Sequence, residues 1–198
     1  LRVYGPTAQE VRRHLAAAEV GVGERRVVEA EDGVVAVRLA GAAGERPVAD
    51  ALAGLRARWG DDLVSSQGED LAAVVIGLLE AADLRLAVAE SLTGGLLAHA
   101  VSEVPGAGQR FIGGIVAYDD EAKRSLLDVP EGPVVSEQAA RAMAVGAAGR
   151  FAVPAAVSVT GVAGPAEQDG RPVGTVFAAS APGGDVRCRH ARLPGGRD

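Results

Sequence analysis

The sequence holds one cysteine, Cys188, among 198 residues. No internal disulfide can form, a cysteine-based metal site is ruled out, and the chain reads as suited to a reducing, cytoplasmic setting. Aromatic residues are also scarce, at 3%, so a core must be assembled from Ala, Val and Leu. No apolar run approaches the roughly 20 residues of a membrane-spanning helix, and no signal-peptide pattern opens the chain. An excess of basic charge is missing too. The net charge of −6 speaks against broad duplex binding and against nucleic acid as a partner. Arg187, Arg189, Arg192 and Arg197 do cluster, and one or two of them suffice for a small anionic ligand.

What is present describes a folded protein. Hydrophobic residues make up 48% and charged residues 23%, with 27 glycines, a globular balance with many close backbone approaches. The length allows one large domain, or a modest one and a small one. The chain opens on Leu1-Arg2-Val3-Tyr4, read as a strand, and stops after Gly195-Gly196. Both ends read as cut from a longer protein.

Residues 1–66 read as a small α+β domain. Thr7 and Glu10 have capping-box spacing ahead of a helix with Val11, Leu15 and Ala18 on one face. Strand-like runs at 25–30 and 34–39 flank Asp32-Gly33, a hairpin signal. A second helix carries Val48, Leu52, Leu55 and Trp59. The order β-α-β-β-α is that of a split βαβ module.

Ser65-Ser66-Gln67-Gly68 reads as a boundary, and residues 67–198 as a second domain. Ser66 and Glu69 have capping-box spacing before a helix bearing Leu71, Val74, Val75, Leu78 and Leu79. Strands at 86–89, 112–118 and 155–159 alternate with helices from about 94, over 121–127 and over 137–150. Strands at 175–179 and 186–191 come last. This alternation predicts a three-layer α/β/α domain with a largely parallel sheet, closed by an antiparallel pair around Pro182-Gly183-Gly184.

Four segments carry chemistry. Ala89-Glu90-Ser91-Leu92-Thr93-Gly94-Gly95 lies where a strand hands over to a helix. Free backbone N–H groups and two hydroxyls there suit an anion, and an ordinary N-cap is the alternative. Tyr118-Asp119-Asp120-Glu121-Ala122-Lys123 starts a helix after a strand, where catalytic groups of open α/β sheets gather. A solvated acidic first turn reads equally from those residues. Val159-Thr160-Gly161-Val162-Ala163-Gly164-Pro165 allows close backbone approach to a ligand, although it is not the dinucleotide fingerprint. Leu193-Pro194-Gly195-Gly196-Arg197 ends on an arginine suited to a phosphate.

Taken in order, AESLTGG, FIGGIVAYDDEAKRSLLDVP, VSEQAARAMAVGA, SVTGVAGP and RPVGTVFAA resemble the C-terminal domain of the CinA (competence/damage-inducible) family over residues 67–198. Residues 1–66 resemble the small KH-type linker domain that precedes it in long members. The resemblance implies a nicotinamide-nucleotide amidohydrolase of NAD salvage, which takes nicotinamide mononucleotide to nicotinate mononucleotide and ammonia without metal or cofactor. It also implies a homo-oligomer, a domain truncated at its C-terminal helix, and partners in competence or DNA repair.

By position, Lys123, Tyr118 and Ser91 match the catalytic set. Thr93, Gly94, Gly95, Thr160, Gly161 and Arg197 match substrate-binding positions. Two departures stand out. Leu92 replaces the usual cysteine of the first motif, and Gly108 replaces the serine that family members pair with the lysine. Without that hydroxyl the activity is weak or lost, which leaves open a nonenzymatic nucleotide-sensing or scaffold protein. A third reading, nucleic-acid binding through Gly41-Ala42-Ala43-Gly44, matches a GxxG loop. Its flanks, Ala40 and Glu45, are those of a plain turn.

Overall fold

The computed structural model describes residues 1–17, 25–31, 34–40, 46–65 and 68–193. The chain divides into two compact units, Leu1–Val75 and Ile76–Asp198.

The first unit runs β1 (Arg2–Tyr4), α1 (Ala8–Ala17), β2 (Arg25–Glu31), β3 (Val34–Ala40), α2 (Arg46–Trp59) and β4 (Leu63–Ser65). Its four strands form an antiparallel sheet in the order β2-β3-β1-β4, the split βαβ topology. The sequence pattern supplied every element but β4, which at three residues is too short to show an alternation.

The Thr7–Glu10 capping box opens α1: Glu10 accepts from Thr7 N at 2.7 Å and Thr7 Oγ1 at 2.8 Å, while Thr7 Oγ1 accepts from Glu10 N at 3.2 Å. The Thr7 backbone N–H, and then its hydroxyl, hold the Glu10 carboxyl below the usual carboxylate range. Val11 and Leu15 of α1 and Ala51 and Leu55 of α2 bury themselves on Val28, Val35 and Val37. Each buried Val or Leu contributes about 1.5–3 kcal/mol.

The helix expected after the boundary forms, but it begins one turn later than the Ser66–Glu69 spacing suggested and with a different cap. In α3 (Leu71–Ala81) the side chain of Asp70 accepts from Ala73 N at 2.7 Å. Asp70 is the residue immediately before the helix and so faces its free N–H groups directly. The expected cap, Ser66, lies outside the described residues, as do Asp32-Gly33 and the Gly41–Gly44 loop. The Glu69 carboxylate instead takes a short hydrogen bond from the Ser65 hydroxyl.

The second unit continues with β5 (Leu86–Glu90), α4 (Leu96–Ser102), β6 (Phe111–Val116), α5 (Asp120–Leu127), α6 (Glu137–Phe151), β7 (Ala155–Gly161), β8 (Thr175–Pro182) and β9 (Arg187–Arg192). The sheet order is β6-β5-β7-β8-β9. Strand β5 pairs in parallel with β6 and β7, whereas β7–β8 and β8–β9 are antiparallel. The antiparallel part therefore begins one strand earlier than the sequence suggested. Residues 162–174 hold no helix among them, and a parallel neighbour needs a crossover, usually a helix. The final hairpin turns at Gly183 and Gly184, whose φ of 60° and 95° only glycine adopts without strain.

Alternation along β5 builds three layers. Ala87 and Ala89 pack with Leu127 of α5 and with Ala139, Met143 and Ala147 of α6. On the opposite face, a Cβ on Gly114 would meet Val88 at 2.6 Å and Ala98 of α4 at 3.4 Å. Small residues on both sides let helices lie close to the sheet, which is how a chain poor in aromatics reaches core density. Among the described residues, no helix is long and apolar enough to cross a membrane.

Candidate functional site

The three parallel strands end at one edge of the sheet, and each delivers a segment of the site. Strand β5 ends in Glu90 and hands over to Ser91. Strand β6 leads to Tyr118 and the start of α5. Strand β7 ends at Gly161. Ser91, Tyr118 and Gly161 lie on the wall of a pocket that opens to solvent. Ser91, Tyr118, Lys123, Thr160 and Gly161 all line it, together with Leu92, Val134–Val135 and part of the loop that follows β7, Gln168 included.

Lys123 owes its position to the first turn of α5. Asp119 caps that helix, accepting from Glu121 N at 2.9 Å and Ala122 N at 3.4 Å. The turn carries Lys123 inward, where only 2% of it is exposed. Its ammonium donates to the carbonyl oxygens of Tyr118 at 2.9 Å and Asp119 at 3.4 Å, and lies 3.5 Å from Asp120 Oδ1. The two carbonyls and the Asp120 carboxylate offset the cost of burying the ammonium. Tyr118 itself is half-exposed.

Thr160 and Ser158 alternate with outward-facing neighbours on β7 and point toward α6. Thr160 Oγ1 donates to Val134 O at 2.9 Å, and Ser158 Oγ donates to Ala140 O at 2.6 Å. The threonine bond ties β7 to the 134–135 segment. Val135 N in turn donates to Asp169 Oδ2 at 3.0 Å, which anchors the 162–174 loop over the same pocket. Sequence reading passed over Val134–Val135, Gln168 and Asp169, because nothing in a local pattern signals a residue 34 positions away.

The β5–α4 corner is built differently from the sequence expectation. Thr93, Gly94 and Gly95 do not line the pocket. The amide of Gly94 donates to Ser91 O and that of Leu96 to Thr93 O. The amides of Gly95, Leu97 and Ala98 donate to the carboxylate of Glu90, at 3.1, 3.0 and 2.7 Å. Glu90 is fully buried. The start of α4 thus already has its anion, supplied by the chain itself.

Gly108 sits in a 3-10 turn, Ala107–Gln109, that precedes β6, and it is not among the residues that line the pocket. Tyr118 and Lys123 follow the other end of that strand. The six residues of β6, five steps of about 3.3 Å or roughly 17 Å, lie between the two. Arg197 lies outside the described residues. No metal-ligating cluster occurs among the described residues, and burial, reinforced by Glu137, raises the Cys188 thiol above its usual range.

The family model of the CinA C-terminal domain matches residues 68–198. A CinA-like protein of Frankia casuarinae is 41% identical over 179 residues, which cover 85% of this chain and 41% of that protein. A CinA-like protein of Geobacter sulfurreducens is 37% identical over 210 residues, which cover all of this chain and 51% of that one. The chain therefore spans about two-fifths to a half of these relatives. Among solved structures, a competence-damaged protein (CinA) superfamily member from Escherichia coli superposes with a TM-score of 0.63 at 33% identity, over 65% of this chain and 78% of that one. A competence/damage inducible protein from Agrobacterium tumefaciens gives 0.60 at 37% identity, over 64% and 81%. With most of its length matched by the family model and the same α/β architecture in its solved relatives, the chain belongs to the CinA family and carries that family's C-terminal domain in residues 68–198.

Proposed function

We propose that the pocket at the ends of β5, β6 and β7 binds a pyridine nucleotide and is related to the deamidation of nicotinamide mononucleotide, with turnover reduced by glycine at position 108. The observation that carries this reading is the buried Lys123 ammonium, held at the wall of a pocket that also presents Ser91, Tyr118 and Thr160. Hydrolysis of the amide needs attack on the carbonyl carbon, breakage of the C–N bond and a proton for the departing ammonia. A fixed cation orients the carbonyl, and hydroxyls at the wall orient the amide and the attacking water. Ser102 is not a substitute nucleophile, since it is exposed on α4 and donates to His99 O at 2.8 Å.

Lys123 and position 108 lie at opposite ends of β6, so a serine–lysine pair requires two copies of the chain. That geometry supports a homo-oligomer. The pocket supplies no metal or cofactor chemistry in this reading. Residues 1–66, which form the split βαβ sheet, are assigned to the KH-type linker, with residues 67–198 as the amidohydrolase-like domain and a cytoplasmic location. A second reading, a nonenzymatic nucleotide-sensing or scaffold protein acting with competence or DNA-repair partners, is favoured by one observation: Gly108 has no side chain to react.

The test measures ammonia release and calorimetric binding together, with nicotinamide mononucleotide as the ligand. Binding by the unaltered chain with slow release of ammonia is expected. Lys123→Met should weaken that binding by about tenfold or more, as for loss of a charge-assisted contact. Absence of binding by the unaltered chain would sink the pocket assignment, while binding without any ammonia release favours the sensing reading.

A further inference from the structure

The pocket wall includes Ser91 and Leu92, of which Ser91 is buried. The pair hangs between the end of β5 and the seven-residue helix α4. On one side the Ser91 amide donates to Val159 O at 3.0 Å. On the other, the chain turns sharply through Thr93-Gly94-Gly95 into α4, with Gly95 at a φ of 109°. A corner of small residues ending in a short helix has little intrinsic stability, since a helix of this length does not hold alone.

Glu90 is what closes it. The side chain is fully buried, a place where an unpaired carboxylate would be too costly to keep. Three amides of the following turn converge on it at 2.7–3.1 Å, two on Oε2 and one on Oε1. Its own carbonyl accepts from Ala117 N at 2.8 Å, one residue before Tyr118. Glu90 therefore links three parts of the pocket region: the end of β5, the start of α4 and the segment leading to Tyr118. Leu92, between these anchors, reaches across to β7, where a Cβ on Gly161 would meet its Cδ1 at 3.1 Å.

We propose that Glu90 is the positioning residue of this pocket, an internal anion that occupies the amides at the start of α4 and so fixes Ser91 and Leu92 against β7. The same occupancy keeps the anionic part of any ligand away from the amides of Gly95, Leu97 and Ala98. The ligand-binding part of this inference rests on the nucleotide reading above, while the positioning part does not.

The discriminating variant is Glu90→Gln. A carboxamide has one acceptor oxygen and presents an N–H₂ where the second carboxylate oxygen stood, so it keeps either the Ala98 bond or the Gly95 and Leu97 bonds. Amide exchange by NMR on the whole chain should then accelerate by about tenfold or more at the amides that lose their acceptor, and also at Ser91 and Leu92, whose amides do not donate to the Glu90 carboxylate. Met143→Ala serves as control: Met143 is fully buried in the core and outside the pocket lining. It should lower the unfolding midpoint at least as much while leaving Ser91 and Leu92 exchange and nicotinamide mononucleotide affinity near those of the unaltered chain. Glu90→Gln should weaken that affinity at least fivefold at temperatures where both variants are folded. Unchanged exchange at Ser91 and Leu92 in Glu90→Gln would overturn the proposal. If the variant does not fold, Glu90→Asp, whose carboxylate is one methylene short of Ala98 N, replaces it with the same readouts. Failure of the unaltered chain to bind the nucleotide refutes the pocket's assignment, and the exchange measurements still decide the role of Glu90.

Discussion

At the scale of single residues, the site depends on two buried charges. Lys123 and Glu90 are both almost wholly removed from solvent; Glu90 is matched by three backbone amides, and Lys123 by two backbone carbonyls and the Asp120 carboxylate. Such groups are fixed in place, because moving either leaves several hydrogen bonds unmade. Gly108 is their opposite: it is exposed, lies outside the left-handed region, and has nothing within 4 Å of where its Cβ would stand. Gly108→Ser should therefore fold without penalty, within about 0.5 kcal/mol of the unaltered chain in denaturant melts. If the family chemistry depends on a hydroxyl here, the variant should raise turnover on nicotinamide mononucleotide by orders of magnitude with little change in affinity, because the new group acts mainly in the transition state. Unchanged turnover beside intact binding would remove position 108 from the mechanism.

At the scale of elements, the helices reach the sheet and one another through small residues. Helix α6 shows this most clearly. A Cβ placed on Gly146 would lie 2.8 Å from both Leu127 C and Leu127 Cα, and would clash with the Leu127 carbonyl oxygen. All of these are backbone atoms of α5, which cannot rotate away as a side chain can. Gly146→Ala should destabilise the second unit by about 1–3 kcal/mol despite the better helix propensity of alanine, read from urea unfolding. The same change should disturb Lys123, since α5 carries it. A stability gain would refute the close α5–α6 contact as the reason for glycine at this position. The caps of Asp119 and Ser136, which accepts from Ala139 N at 3.1 Å, fix where α5 and α6 begin. The sequence reading placed both helix starts within a residue but named neither cap, and for α3 it put the cap at Ser66, one turn before Asp70.

At the scale of the whole molecule, the compact units divide at Val75/Ile76, within α3, while the family match starts at residue 68. Limited proteolysis should separate the alternatives. Cleavage is expected first in the 65–69 stretch, since a protease needs extended backbone and the amides of α3 are hydrogen-bonded within the helix. A first cut inside α3 would place the functional boundary at the contact division instead.

Much of this protein was determined by its sequence alone. Hydrophobic period and turn residues are local, so they located the strands and helices other than β4, with most ends within a residue or two but the start of α3 and the end of β8 displaced by three or four, and the ordered motifs carried the family. Ser91, Tyr118, Lys123, Thr160 and Gly161 were also singled out in advance, because each follows a strand. The tertiary structure decided what depends on pairing across distance. Strand β7 chose β8 as an antiparallel neighbour, and the Val135–Asp169 bond closed the pocket with residues no local pattern marks. Parallel strands also sent position 108 and Lys123 to opposite ends of β6. Above all, it showed that the amides at the start of α4 belong to Glu90. A sequence can reveal that a strand-to-helix corner offers free N–H groups, but only the folded chain reveals that a carboxylate five to eight residues away has already taken them, since burial leaves that charge no other partner.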